Sequence, residues 1–191
     1  MQALFSTLDY TENENLLGGL ICPMNFANDE MLEQLHFYLN APKDAFEFVD
    51  GSGSFVINQK ESDESQVNIY TNIPDPKTQW IGIVCLSESE TPHFLKFYRN
   101  RRTKWDGIPN SFEELQKENI TSYDEFHQFL VKENQEGEWD ETTRVEYKFN
   151  QLLLFRPGLF HSYNDVFGNS KETGRLLQFF FLKTKVVQEQ Q

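Results

Sequence analysis

From Ala45 onward the apolar residues fall at alternate positions in short segments closed by turn residues, a period of two that only extended chain can bury on one side. Phe46 and Phe48, Phe55 and Ile57, and Val67, Ile69 and Thr71 alternate with polar neighbours, separated by Gly51-Ser52-Gly53 and by the stretch 61–65. Trp80 to Leu86 is apolar on both faces and rich in β-branched residues, which predicts a central strand, and Phe94 to Arg99 predicts another after Thr91-Pro92. The last third returns to the pattern over Arg144–Phe149, Gln151–Phe155, Leu159–Tyr163 and Leu176–Lys183, with turns at Asn150, Pro157-Gly158 and 168–174.

Helices interrupt this pattern. The first 25 residues read as irregular, with a turn at Gly18-Gly19. Asn28 or Asp29 can cap a helix that carries Met31, Leu32, Leu35, Phe37, Tyr38 and Leu39 and stops at Ala41-Pro42. Ser111 with an acid three residues on, and the segment Thr121–Glu125 ahead of Phe126, Phe129, Leu130 and Val131, predict two more. The fold class expected is mainly β with flanking helices (α+β), an antiparallel sandwich or jelly roll. One domain spans 1–191, with a helix and edge strands in 1–60, a core in 66–183 and a helical insertion at about 111–134.

Composition narrows the function classes. Eighteen Phe among 191 residues, and 15% aromatic residues in all, supply enough bulk for a core although mean hydropathy is −0.60. Lys and Arg number 17 against 30 Asp and Glu, a net charge of −13, so the field repels phosphate backbones and anionic lipid; no nucleic-acid partner and no membrane are expected. Only Arg101, Arg102 and Lys104 are locally basic. Cys22 and Cys85 lie far apart and Cys85 sits in an apolar run, the pattern of a buried thiol in a reducing compartment. With no signal-peptide pattern over residues 1–20, a cytoplasmic location is expected. Gly-rich phosphate loops, zinc spacings and internal repeats are missing from the sequence.

Four histidines remain as candidates for chemistry: His36, His93, His127 and His161. His36 and His127 fall on helices, where a partly solvated face is the ordinary fate, and His93 follows Pro92 at a strand start. His161 closes the apolar segment that turns at Pro157-Gly158. Fourteen residues later Arg175 opens Leu176-Leu177-Gln178-Phe179-Phe180-Phe181-Leu182. A guanidinium at the head of so apolar a strand needs an anionic partner, either a protein carboxylate in an internal salt bridge or a ligand's.

Phe149-Asn-Gln-Leu-Leu-Leu-Phe-Arg-Pro-Gly-Leu-Phe-His-Ser, then Phe167-Gly168 and Gly174-Arg175-Leu-Leu-Gln-Phe-Phe-Phe, resembles the C-terminal half of the 2-oxoglutarate/Fe(II)-dependent dioxygenases, in particular the prolyl-hydroxylase-like branch of bacteria and phages. Trp80-Ile-Gly-Ile-Val-Cys-Leu and Phe97-Tyr98-Arg99 are similar to that branch's central strands, so the resemblance covers roughly 66–183. It implies a double-stranded β-helix whose mouth holds Fe(II) on a His-x-Asp pair and a distal histidine, matched by His161, with Arg175 matching the arginine that pairs with the far carboxylate of 2-oxoglutarate. The sequence departs from the family at the other two ligands. Asn68 stands in the histidine slot and Tyr70 in the aspartate slot, and Leu177 replaces the hydroxylated residue two past the arginine. Asp75 or His93 are the candidates to substitute.

The resemblance, with two metal ligands of three degenerate, implies a non-catalytic pseudoenzyme: a binding or assembly module with a protein partner, and a virion component if phage-encoded. The oligomeric state is left open. The alternative is an active hydroxylase of a peptide or small molecule, using Fe(II) and 2-oxoglutarate at an atypical metal site. A third reading is a carbohydrate module using Trp80, Trp105 or Trp139 as a stacking platform. In the first two, His161 and Arg175 face each other across the open end of the scaffold.

Overall fold

Two antiparallel sheets account for the alternation. The computed structural model describes residues 11–12, 19–22, 29–38, 40–42, 45–59, 68–71, 78–163 and 167–185. In chain order they form β1 (Thr11–Glu12), β2 (Gly19–Cys22), α1 (Asp29–Tyr38), β3 (Phe46–Phe48), β4 (Ser54–Asn58), β5 (Trp80–Cys85) and β6 (Phe94–Asn100). Then come α2 (Phe112–Lys117), α3 (Tyr123–Glu136), β7 (Trp139–Glu146), β8 (Leu152–Phe155), β9 (His161–Ser162) and β10 (Arg175–Thr184). The larger sheet runs β1-β2-β4-β10-β5-β8, with β3 also on β10; the smaller runs β7-β6-β9. Tyr70 extends the smaller sheet by one antiparallel bridge to His161. No helix among the described residues is long and apolar enough to cross a membrane.

β10 organises the larger sheet. One edge pairs with β4 over Arg175–Phe179 and with β3 over Leu182–Thr184, while the other pairs with β5 over Leu177–Leu182. Leu176, Leu177, Phe179, Phe180 and Leu182 are all buried, so both faces are covered, which is why this strand reads as a continuous apolar run. One face meets the main core, where Val56, Ile81, Ile83, Leu177 and Phe179 pack against Leu95 and Phe97 of the smaller sheet and Tyr163 just past β9. Each such side chain contributes about 1.5–3 kcal/mol of burial. A second core joins the helices to that sheet's outer side: Phe126 and Leu130 of α3, with Ile120, pack on Ile69, Tyr98 and Phe160.

The structure corrects several boundaries. The N-terminal residues expected to be irregular supply β1 and β2, and β2 pairs with β4 over Gly19–Cys22. A four-residue strand with Gly at its head carries too short an alternation to read. β7 starts at Trp139 rather than at Arg144; 141–144 are exposed polar residues on an edge strand, where pairing to β6 leaves no apolar signal. The strand expected over 67–71 is the single bridge at Tyr70 among the described residues, and that over 159–163 shortens to β9. Within the segment Thr121–Glu125 the cap of α3 is Ser122: Ser122 Oγ accepts from Glu125 N–H at 3.2 Å and Glu125 Oε2 accepts from Ser122 N–H at 3.1 Å. His36 is buried rather than half-solvated, its Nε2 accepting from Phe46 N–H at 3.2 Å and its ring stacked on Phe46. His127 is exposed, as a helix-face histidine should be.

The helical insertion is fastened by one buried carboxylate. Glu133 of α3 accepts from Asn100 Nδ2 at 2.6 Å and from Arg102 Nη2 at 2.6 Å, and Arg102 also pairs with Glu118. Asn100 Oδ1 in turn accepts the Arg102 and Thr103 N–H groups, so the turn after β6 and the helix share one network. Arg101 pairs with Glu138 and Asp140, which neutralises much of the locally basic stretch. Replacing Glu133→Ala leaves the Asn100 amide buried without its acceptor and is expected to lower unfolding free energy by about 2–4 kcal/mol. Urea titration against Lys104→Ala, an exposed control expected to stay within about 0.5 kcal/mol, measures it.

Candidate functional site

His161 owes its position to the smaller sheet. After the turn at Pro157-Gly158, Phe160 N–H donates to Asp106 O and Tyr98 N–H to Phe160 O; Phe97 then pairs with His161. On the other side Tyr70 and His161 exchange both backbone hydrogen bonds, Tyr70 N–H to His161 O at 2.7 Å and His161 N–H to Tyr70 O at 2.9 Å. Residues directly opposite in such a pair project to the same face. Asn134 of α3 fixes the stretch by holding both backbone groups of Ile69, which turns Ile69 to the helices and leaves Tyr70 against the main core. Asn68, two residues before Tyr70, is half-buried.

The imidazole of His161 is fully buried, and burial pushes its pKa down to about 4, so the ring is neutral at pH 7. Nδ1 lies 2.7 Å from Leu159 O. A carbonyl oxygen only accepts, which assigns the proton to Nδ1 and leaves a lone pair on Nε2. Phe155 and Tyr163 stand edge-on to the ring at centroid distances of 5.2 and 4.8 Å, and Phe97 lies at 6.4 Å. Among the described residues Nε2 has no hydrogen-bond partner.

Arg175 is equally buried, but its setting differs. Nη2 donates to Tyr163 O at 2.8 Å and the guanidinium lies over the Tyr147 ring at 4.7 Å. Tyr163 therefore touches both candidate groups, His161 through its ring and Arg175 through its carbonyl. Arg175 also lines a cavity of about 470 Å³ together with Cys85, His93, Tyr147, Phe149 and Phe167, and His161 is not part of that lining. Burial pushes the Cys85 thiol up, so it is a protonated apolar wall. Leu177 is fully buried in the main core with no polar atom to offer a carboxylate.

His93 belongs to the cavity of Arg175. Its Nε2 is 2.9 Å from Ser89 Oγ and 3.1 Å from Thr91 Oγ1, and its ring packs on Phe167 at 4.7 Å. Asp75 lies outside the described residues. The tryptophans do not form a platform. Trp105 packs on Phe129 and Trp139 on Phe160 in the core beneath the helices, and the Arg156 guanidinium covers Trp80 at 3.8 Å. The Ser87-Glu-Ser-Glu-Thr91 run between β5 and β6, now part of the cavity wall, carried a signal in its density of polar groups between two apolar strands.

Among the described residues there is no group of three His, Cys, Asp or Glu side chains able to hold a metal ion. The residues standing in the two ligand slots also fail on chemistry. Tyr70 would have to lose a proton whose ordinary pKa is about 10, Asn68 offers a neutral amide oxygen, and neither compensates the charge of Fe(II) as a carboxylate does. The described residues do not fit the metal.

No family model matches the chain, and no curated protein does. Among solved structures it has a weak likeness to a prolyl 4-hydroxylase from Phytophthora capsici, with a TM-score of 0.39 and 11% identity over 84% of this chain and 41% of that one. The chain thus spans about two fifths of that protein's length.

The His161 environment has a pH signature. Its pKa is about 4 folded and about 6.5 unfolded, so the unfolded chain binds the extra proton between those values. The stability it confers is complete above about pH 6.5 and is lost as pH falls toward about 4. From pH 7 to pH 5 the loss is expected to be about 2 kcal/mol. In His161→Gln that component vanishes, read as the difference between urea unfolding curves of the two proteins at both pH values.

Proposed function

We propose that this chain is a double-stranded β-helix, built on the plan of the 2-oxoglutarate/Fe(II) dioxygenases, that works by binding and not by oxidation. The strand order supports the scaffold. After β4 in the larger sheet the chain visits the smaller at Tyr70, the larger at β5, the smaller at β6 and β7, the larger at β8, the smaller at β9 and the larger at β10. That alternation is how a jelly roll is wound.

The observation that carries the functional reading is the pair Tyr70–His161. A metal ligand opposite His161 would project from the position of Tyr70, and an aromatic ring grows there instead, tilted against Tyr163 at 6.2 Å. With Nε2 buried and without a hydrogen-bond partner among the described residues, and aromatic rings around the imidazole, His161 serves packing. Phe112 and Tyr123, at the starts of α2 and α3, are 55% and 58% exposed, which favours a protein partner on the helical side.

Anaerobic titration of Fe(II) or Mn(II), alone and with 2-oxoglutarate, tests this. The expected result is no stoichiometric metal binding and no succinate formed in air. One metal bound per chain, abolished in a folded His161→Ala variant, would overturn the reading in favour of an active hydroxylase.

A further inference from the structure

Strand β8 ends the larger sheet with one edge unpaired and an apolar outer face. It pairs with β5 from Ile81–Phe155 to Val84–Leu152, and among the described residues no hydrogen bond reaches its other edge. Leu153 and Phe155 belong to the main core, so Leu152 and Leu154, at the alternate positions, lie on the face away from it. There they cover Gly82, where an added Cβ would sit 3.0 Å from Leu152 Cδ1 and 3.7 Å from Leu154 Cδ1. Leu152 is 37% exposed, Phe149 just before the strand is 45% exposed, and Val84 opposite Leu152 is half-buried.

Proteins usually guard such an edge with charge, proline or a covering segment. From Phe149 to Phe155 this chain places no charged residue, and Lys148 and Arg156 bracket the stretch. The chain as a whole carries a net charge of −13, so two copies repel each other over most approaches. At β8 that repulsion is absent, and the two bracketing cations complement an acidic partner. An antiparallel edge also matches a second copy of itself, because a twofold axis normal to the sheet sets outward N–H groups against outward C=O groups. Opposed residues must project to the same face, which places a residue on the axis. With Leu153 on it, Leu152 of each copy lies opposite Leu154 of the other and Arg156 lies opposite Asn150, so no like charges meet.

We propose that two copies of this chain associate edge to edge through β8, an isologous antiparallel pairing that joins their larger sheets and brings the Leu152 and Leu154 side chains of both copies together. The partner is a second copy of the chain, and its seat is the larger sheet, on the opposite side of the core from the helices. A pairing this short makes the dimer depend on concentration. The proposal goes beyond the binding reading above, and the metal titration has no bearing on it.

Sedimentation equilibrium of the full chain from about 1 μM to about 1 mM tests it. The mass is expected to rise from 22.5 kDa toward twice that value. Amide hydrogen exchange over residues 149–155 is expected to slow across the same range. Leu152→Glu, with folding checked by circular dichroism, puts an acid on each side of the axis and is expected to leave the chain monomeric throughout. If that variant unfolds, Leu152→Thr, which keeps strand propensity, is expected to weaken association at least about tenfold. A wild-type mass that stays at one chain throughout defeats the proposal. So does a dimer that forms without protecting 149–155, or one that a folded Leu152 variant retains. Loss of the dimer in Tyr123→Ser while Leu152→Glu keeps it moves the contact to the helices and refutes the role of β8.

Discussion

Strand β10 has to satisfy its backbone on both edges while both of its faces are dry. β4 and β3 share one edge, β5 takes the other, and aromatic and aliphatic side chains close the faces. A buried backbone N–H or C=O without a partner costs as much as a lost hydrogen bond, so these three pairings stand or fall together. The position of Arg175 follows from the same constraint. As the first residue of β10 it lies opposite Asn58 of β4, on the face that meets the main core, and it enters that core with its charge accommodated by a carbonyl and an aromatic ring.

The two candidate groups illustrate how one dry interior treats opposite chemistries. An imidazole becomes neutral when buried, so His161 keeps one bond to Leu159 O and otherwise behaves as an aromatic ring among aromatic rings. A guanidinium cannot shed its proton, so Arg175 needs acceptors and π-faces wherever it goes. Both side chains are without exposed surface, and they differ only in what each needs from its neighbours. A carboxylate at position 70 would have brought charge beside His161, whereas tyrosine brings another ring.

Much of the β scaffold was legible because amphipathic alternation survives wherever one face is buried. Phe46–Phe48, the Trp80–Cys85 strand, the Phe94–Asn100 strand and the apolar C-terminal run all match, and so does the helical insertion. The reading failed where an apolar alternation is absent or too short to see. β7 is an exposed edge strand rich in acids and threonine, and β2 is four residues long, paired to β4. His36 misled for the converse reason: its ring caps the junction between α1 and β3, a contact made ten residues away that no helical periodicity encodes.

The sequence by itself determined that the chain is mainly β, strongly acidic, with one histidine and one arginine embedded in apolar strands, because pattern and charge are local properties. It also determined which donors are missing, since Asn68 and Tyr70 are what they are in any fold. Only the tertiary structure decided that Tyr70 lies opposite His161, that Tyr163 joins His161 to Arg175, and that Arg175 is brought to the same lining as His93. Those relations depend on register between strands distant in the chain, and a shift of one residue would turn each of these side chains to the other face of its sheet.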